Sequence, residues 1–162
     1  MPIRYLKIVL IVFLGLMTLF YGLQNLVNLE AAHQVVGAVL AMANHEYYPT
    51  SLVPAITSPI VSGLVLAVVI AGELAAGLVA LKGAWDLWAN RRAPATAFNG
   101  AKTWALMGAG IGMIVWFGFF LAIGGSWFQM WQTQLGAQSL EGALQYFLCC
   151  AVVFVIVNMD DA

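Results

Sequence analysis

Four runs of apolar residues, at 5–26, 59–81, 103–123 and 140–157, alternate along this chain with connections that hold most of its polar side chains. Each run is about 18 to 23 residues long, which at about 1.5 Å per residue matches a hydrocarbon core about 30 Å thick. Backbone amides at that depth find no water, so each run has to close its hydrogen bonds within itself, as a helix. The pattern predicts an all-α, polytopic membrane protein, with a single domain over 1–162 folded as an antiparallel four-helix transmembrane bundle.

The connections carry signals of their own. Between the first two runs, Val35, Val36, Val39, Leu40 and Ala43 share one helical face, which predicts a short interfacial helix on the outer surface. Tyr47, Tyr48, Pro49, Pro54 and Pro59 follow, a composition that favours irregular or extended backbone. Pro94 breaks the helix between the second and third runs, and Gly124 and Gly125 are expected to end the third. Ser139 is placed as the N-cap of the fourth, with Glu141 in its first turn.

Charge then sets the orientation. All six Lys and Arg residues fall in two places: Arg4 and Lys7 at the start, and Lys82, Arg91, Arg92 and Lys102 between the second and third runs. Basic loops are retained in the cytoplasm, so both termini are expected inside, and the connections 30–57 and 124–138, which lack Lys and Arg, outside. Tryptophan marks the same borders, with Trp85, Trp88 and Trp104 inside and Trp127 and Trp131 outside; Trp116 falls mid-span. Lys82, Arg91, Arg92 and Lys102 are expected to meet lipid headgroups.

Composition agrees with the spans. Charged residues make up 8% of the chain, against roughly a quarter in a soluble domain, too few to cover a water-soluble globule. The first run is too long for a signal core and is followed by Tyr21, Gln24 and Asn25, so it reads as an uncleaved span. The expected location is a bacterial inner (cytoplasmic) membrane. The expected partners are the lipid bilayer and other integral membrane subunits, and a net charge of −1 gives no argument for nucleic acid.

Candidate chemistry is sparse. Glu73 lies near the middle of the second span, where a carboxyl must face the bundle interior, be protonated or have a partner. His33 and His45 both sit in the outer connection and form no metal-spacing motif, so no metal or cofactor is expected. Cys149 and Cys150 are adjacent inside the fourth span and read as small apolar residues. Glu141, Gln145 and Cys149 share a helix face, and Gln24, Asn25 and Asn28 place amides near the outer end of the first span, as interhelical hydrogen-bond donors. Gly72, Ala76 and Ala80 in the second span, and Gly108 and Gly112 in the third, form small-residue faces that let helix backbones approach closely. Trp127, Phe128, Met130 and Trp131 make an outer aromatic cluster suited to interfacial anchoring or to a partner.

Several stretches together carry a family likeness: Gly22-Leu23-Gln24-Asn25-Leu26, the Glu73 span, Ala97-Phe98-Asn99-Gly100-Ala101-Lys102, and Gly124-Gly125-Ser126-Trp127-Phe128-Gln129-Met130-Trp131-Gln132. Over nearly its whole length the chain resembles the bacterial predicted small integral membrane proteins of domain-of-unknown-function family 2165. In that family an acidic residue often stands where this chain has Ser126, and a His-Val-Leu-Ser-Met stretch corresponds to 37–42. The resemblance implies a four-helix inner-membrane protein and no particular activity.

No phosphate loop, nucleophile elbow or paired His and carboxylate motif is present. The leading expectation is therefore a non-catalytic accessory or assembly subunit of a larger inner-membrane complex, respiratory or photosynthetic. The alternatives are a small transporter or proton-coupled channel using Glu73, and haem, quinone or metal binding at the outer side.

Overall fold

A computed structural model describes residues 2–161. Pro2–Val27 forms α1 and crosses the bilayer; Leu29–Leu40 forms α2, the expected interfacial helix. Residues 45–58 are irregular, as their prolines predict. Pro59–Ala89 forms α3, with Pro59 at the first helical position, where a missing amide proton leaves no hydrogen bond unmade. The short α4, Ala95–Gly100, leads into α5, Thr103–Met113, and α6 spans Gln134–Asn158. Four helices are long and apolar enough to cross a membrane, and no strand occurs among the described residues.

Span three runs further than Gly124 and Gly125 predict. From Ile114 to Trp127 the chain continues as a π-helix, shown at its end by the Phe128 amide donating to the Ile123 carbonyl, five residues back. Glycine does not stop a helix where the surroundings offer no water to the freed amides. A Cβ on Gly124 would collide with the Met130 side chain, so this glycine lets the turn fold back against the helix. Span four also starts earlier than Ser139 predicts. Thr133 is the true N-cap, its hydroxyl accepting from the Gly136 amide at 3.0 Å, while Ser139 donates to the Leu135 carbonyl inside the helix. Glu141 consequently stands beyond the first turn.

The small-residue faces are spent inside the bundle. A Cβ on Gly83 would strike the Ala105 backbone and one on Gly108 the Ala80 backbone, so α3 and α5 touch along their main chains. Ala76 and Ala80 are fully buried, Gly72 faces Val115, and Gly112 faces the Cys150 thiol of α6. Gly15 and Gly77 do the same for α1 against α3, and Gly22 admits the Leu74 and Glu73 side chains of α3. Lipid supplies no hydrophobic drive for helix association, so such close contacts hold the bundle together.

All six cations gather at one end. Arg4 donates to the Ala93 carbonyl at 2.7 Å and Lys102 pairs with Asp161, which brings both described ends and the Arg91 connection to the same side. The Trp127 connection lies at the other end of the span that starts at Thr103. Gly83→Val and Gly108→Val are each expected to destabilise the protein by about 1 to 3 kcal/mol. Gly110→Ala, whose added Cβ meets nothing within 4 Å, is expected to have no effect. Thermal unfolding in detergent checks this, and a Gly83→Val protein as stable as wild type would disprove the α3–α5 contact.

Candidate functional site

Three buried polar nodes, one at each level of the bilayer, join elements distant in sequence. At mid-depth, Glu73 is 2% exposed and its Oε2 accepts from Asn25 Nδ2 at 2.8 Å. Gly22 makes room, since a Cβ there would sit 3.3 Å from the Glu73 Cβ. The acid thus faces the bundle interior and ties α3 to α1. Nearby, the Tyr21 and Tyr146 hydroxyls hydrogen-bond and Trp116 packs on both rings, with centroids 6.3 and 5.4 Å away, joining α1, α6 and the π-helical stretch.

The node at the cationic end of the bundle holds most of the buried charge. Asp161 Oδ2 accepts from Lys7 at 2.6 Å and from Lys102 at 2.9 Å, and Arg4 Nε lies 3.9 Å from Oδ1. Asn99 clamps the same residue through its backbone, accepting from the Asp161 amide at 3.1 Å and donating to its carbonyl at 3.2 Å. Three cations around one carboxylate need more acceptors. The Met159 carbonyl takes both lysines, the Ala93 and Arg91 carbonyls take Arg4, and the Phe98 ring lies under Arg4 at 4.7 Å. The lysines also sit at the C-terminal, negative end of the α6 dipole.

Burial alone would raise the Asp161 carboxyl above its ordinary range, but the hydrogen bonds from Lys7 and Lys102 outweigh it and hold the group below its usual 3.8. Lys102 was expected at the headgroups. It is 3% exposed instead, because an interior carboxylate and carbonyl satisfy it better than the surface does. Lys82, Arg91 and Arg92 stay at the surface, Lys82 paired with Asp86 one turn on and Arg91 stacked on Trp88 at 4.1 Å.

At the opposite end of the bundle Gln132 is almost fully buried. Its Oε1 accepts from the Tyr47 and Tyr48 amides at 3.0 and 2.7 Å, and its Nε2 donates to His45 Nδ1 at 3.2 Å and to Gln129 Oε1 at 2.8 Å. One amide thereby ties residues 45–48 to the turn that follows span three. Around it, Trp127 and Trp131 remain exposed, with Tyr47 and Tyr48 against Trp131 at 6.2 and 5.2 Å. Phe128 and Met130, expected in the same outward cluster, are 8% and 4% exposed and pack into the protein. The tight return after Trp127, with Gln129 in the left-handed region at φ 53°, turns them inward.

His33 Nε2 is engaged within the protein, 2.7 Å from the Ser62 hydroxyl and 3.0 Å from the Pro59 carbonyl. Among the described residues no three His, Cys, Asp or Glu side chains group as metal ligands.

Residues of the family-like stretches now have places in the geometry: Asn25 on Glu73, Asn99 and Lys102 on Asp161, and Gln132 on Tyr47 and Tyr48. A family model matches residues 3–160. The chain belongs to the predicted small integral membrane proteins, DUF2165. No curated protein and no solved structure matches it. In this DUF2165 chain the Gln132 and Asp161 nodes escaped the sequence reading, because the partners that define them lie 59 to 154 residues away along the chain; Asn99, three residues before Lys102, was the one available signal.

Two outcomes follow. Glu73→Gln keeps an acceptor for Asn25 and is expected to preserve stability, whereas Glu73→Leu is expected to lose about 0.6 to 1.7 kcal/mol, measured by unfolding in mixed micelles. Because the folded Asp161 carboxyl lies below its ordinary 3.8, its stabilisation is present above that pH and lost as pH falls through the depressed value. A pH titration of stability should therefore show an acid loss below about pH 4 that Asp161→Asn removes; an identical acid limb in the variant would contradict the node.

Proposed function

We propose that this DUF2165 protein is a non-catalytic accessory subunit of a larger complex, seated in a bacterial inner membrane with both chain ends in the cytoplasm. The gathering of all six cations at one end of the bundle supports the orientation. The partner reading is carried by one face of α6. Gln134, Gln138, Glu141 and Gln145 succeed one another there at steps of four, three and four residues, and all four are exposed. Leu148, Val152, Val155 and Met159 continue the same seam toward the inner side.

A seam of that spacing is what a second helix packs against. Gln145 lies about 16 Å along α6 from Gln134, well inside the bilayer. A carboxamide facing acyl chains there has no partner of its own, and a neighbouring transmembrane helix that hydrogen-bonds it removes the penalty. The Glu73 node favours a packing role over transport, since its observed bond joins two helices of the bundle.

The test is purification in mild detergent followed by mass spectrometry of what accompanies the protein, which also identifies the complex as respiratory, photosynthetic or other. Gln145→Leu is expected to release the partner without changing the melting temperature. Exposed Cys149, one turn from Gln145, should give a thiol crosslink to the same partner. Recovery of the wild-type protein only as a monomer or homo-oligomer would overturn the reading.

A further inference from the structure

We infer that a cavity on the outer side of the bundle binds a membrane amphiphile, with its hydrocarbon chain in an apolar compartment and a hydrogen-bond-accepting head at His45. The inference is independent of the α6 face. The larger compartment has a volume of about 430 Å³ and lies between α2, α3 and the π-helical stretch. Val35 and Val39 roof it, Val65 and Val69 form one wall, and Phe120 and Ile123 the other. Ser139 is the one hydroxyl in its lining, and that hydroxyl already donates to the Leu135 carbonyl at 2.8 Å.

A polar ligand entering this space would give up its water without replacement bonds, so the portion that enters is hydrocarbon. Val65 and Val69 lie about 9 to 15 Å along α3 from its outer end, at the depth of outer-leaflet acyl chains. Leu64 and Val68 border the cavity while exposed on the lipid side, which gives a chain its way in. The volume suits a small lipophilic ligand. π-Helical geometry recurs at functional sites, and here it forms one of the walls.

A second compartment of about 120 Å³ adjoins the first, bordered in common by Val35, Val39 and Met130 and lined further by Asn44, His45 and Thr133. Gln132 fixes the chemistry it offers. Two backbone amides occupy its Oε1, so its Nε2 is the donor to His45 Nδ1, and the neutral ring must carry its proton on Nε2. His45 therefore presents an N–H donor and Asn44 a carboxamide that adds N–H donors, while Thr133 is already engaged with Gly136 and Met130. No carboxylate lines the compartment to hold a cationic head. The matching head is a carbonyl acceptor, either of a quinone or of a glycerolipid ester.

Delipidated wild-type protein in detergent should be titrated by calorimetry with decylubiquinone, monoolein and hexadecane as probes. Saturable binding is expected, and tighter binding of decylubiquinone or of monoolein identifies the quinone or the ester as the source. Val65→Trp fills the wall and should weaken all three probes at least about tenfold, with Val39→Trp as the second filling variant if the first does not fold. His45→Ala should weaken the two carbonyl probes about two- to tenfold and leave hexadecane unchanged. Equal, unsaturable uptake by wild type and a folded filling variant would show micelle partitioning and overturn the site. Equal loss of hexadecane and carbonyl probes in His45→Ala would overturn the head-group assignment.

Discussion

Close contact between helix backbones is the constraint on which the rest of this structure depends. Lipid is as apolar as the side chains it would replace, so the helices gain nothing by hiding leucine and must gain from contact itself. Gly15 against Gly77, Ala80 against Gly108 and Gly83 against Ala105 bring α1, α3 and α5 together at main-chain distance. With the helices so close, short polar side chains can reach across. Asn25 reaches Glu73 because Gly22 leaves the space, and Asp161 reaches Lys7 and Lys102 because the ends of α1, α5 and α6 converge.

The same economy explains what is left outward. The small-residue faces are consumed within the bundle, so any partner must use another surface. The polar seam on α6 is the surface that internal packing leaves unmatched, since Glu141 and Gln145 are exposed while Ala143 and Cys150 turn inward. The π-helical turn of span three has a separate consequence. It lets Phe128 and Met130 fold back under α2, and these side chains border the apolar cavity rather than project from the protein.

How much of this was readable beforehand varies by residue. The four spans, the interfacial helix and the proline-rich connection followed from local pattern, and each is present. Ser139 was read as a cap because it precedes an apolar run, yet Thr133 does that work; capping depends on which backbone turns first, and the amphipathic segment 134–139 hid the true start. Lys102 was read as a headgroup contact because it belongs to the basic cluster between the second and third runs, which anionic lipid headgroups attract. Its actual partner stands 59 residues later, at a separation no periodicity can register. Glu73 was read as an acid that must face the interior, be protonated or have a partner; it is buried against Asn25, which could not be chosen from several amides without knowing which face of α1 meets α3.

The amino-acid sequence by itself determined that this protein crosses the membrane four times with its cations at one end, because hydrocarbon thickness and charge cost act on each segment independently of the others. Only the tertiary structure decided which polar groups meet, where span three becomes π-helical and where a cavity remains. Those outcomes depend on distances between segments remote along the chain, and such distances are fixed by how side chains of particular size interlock.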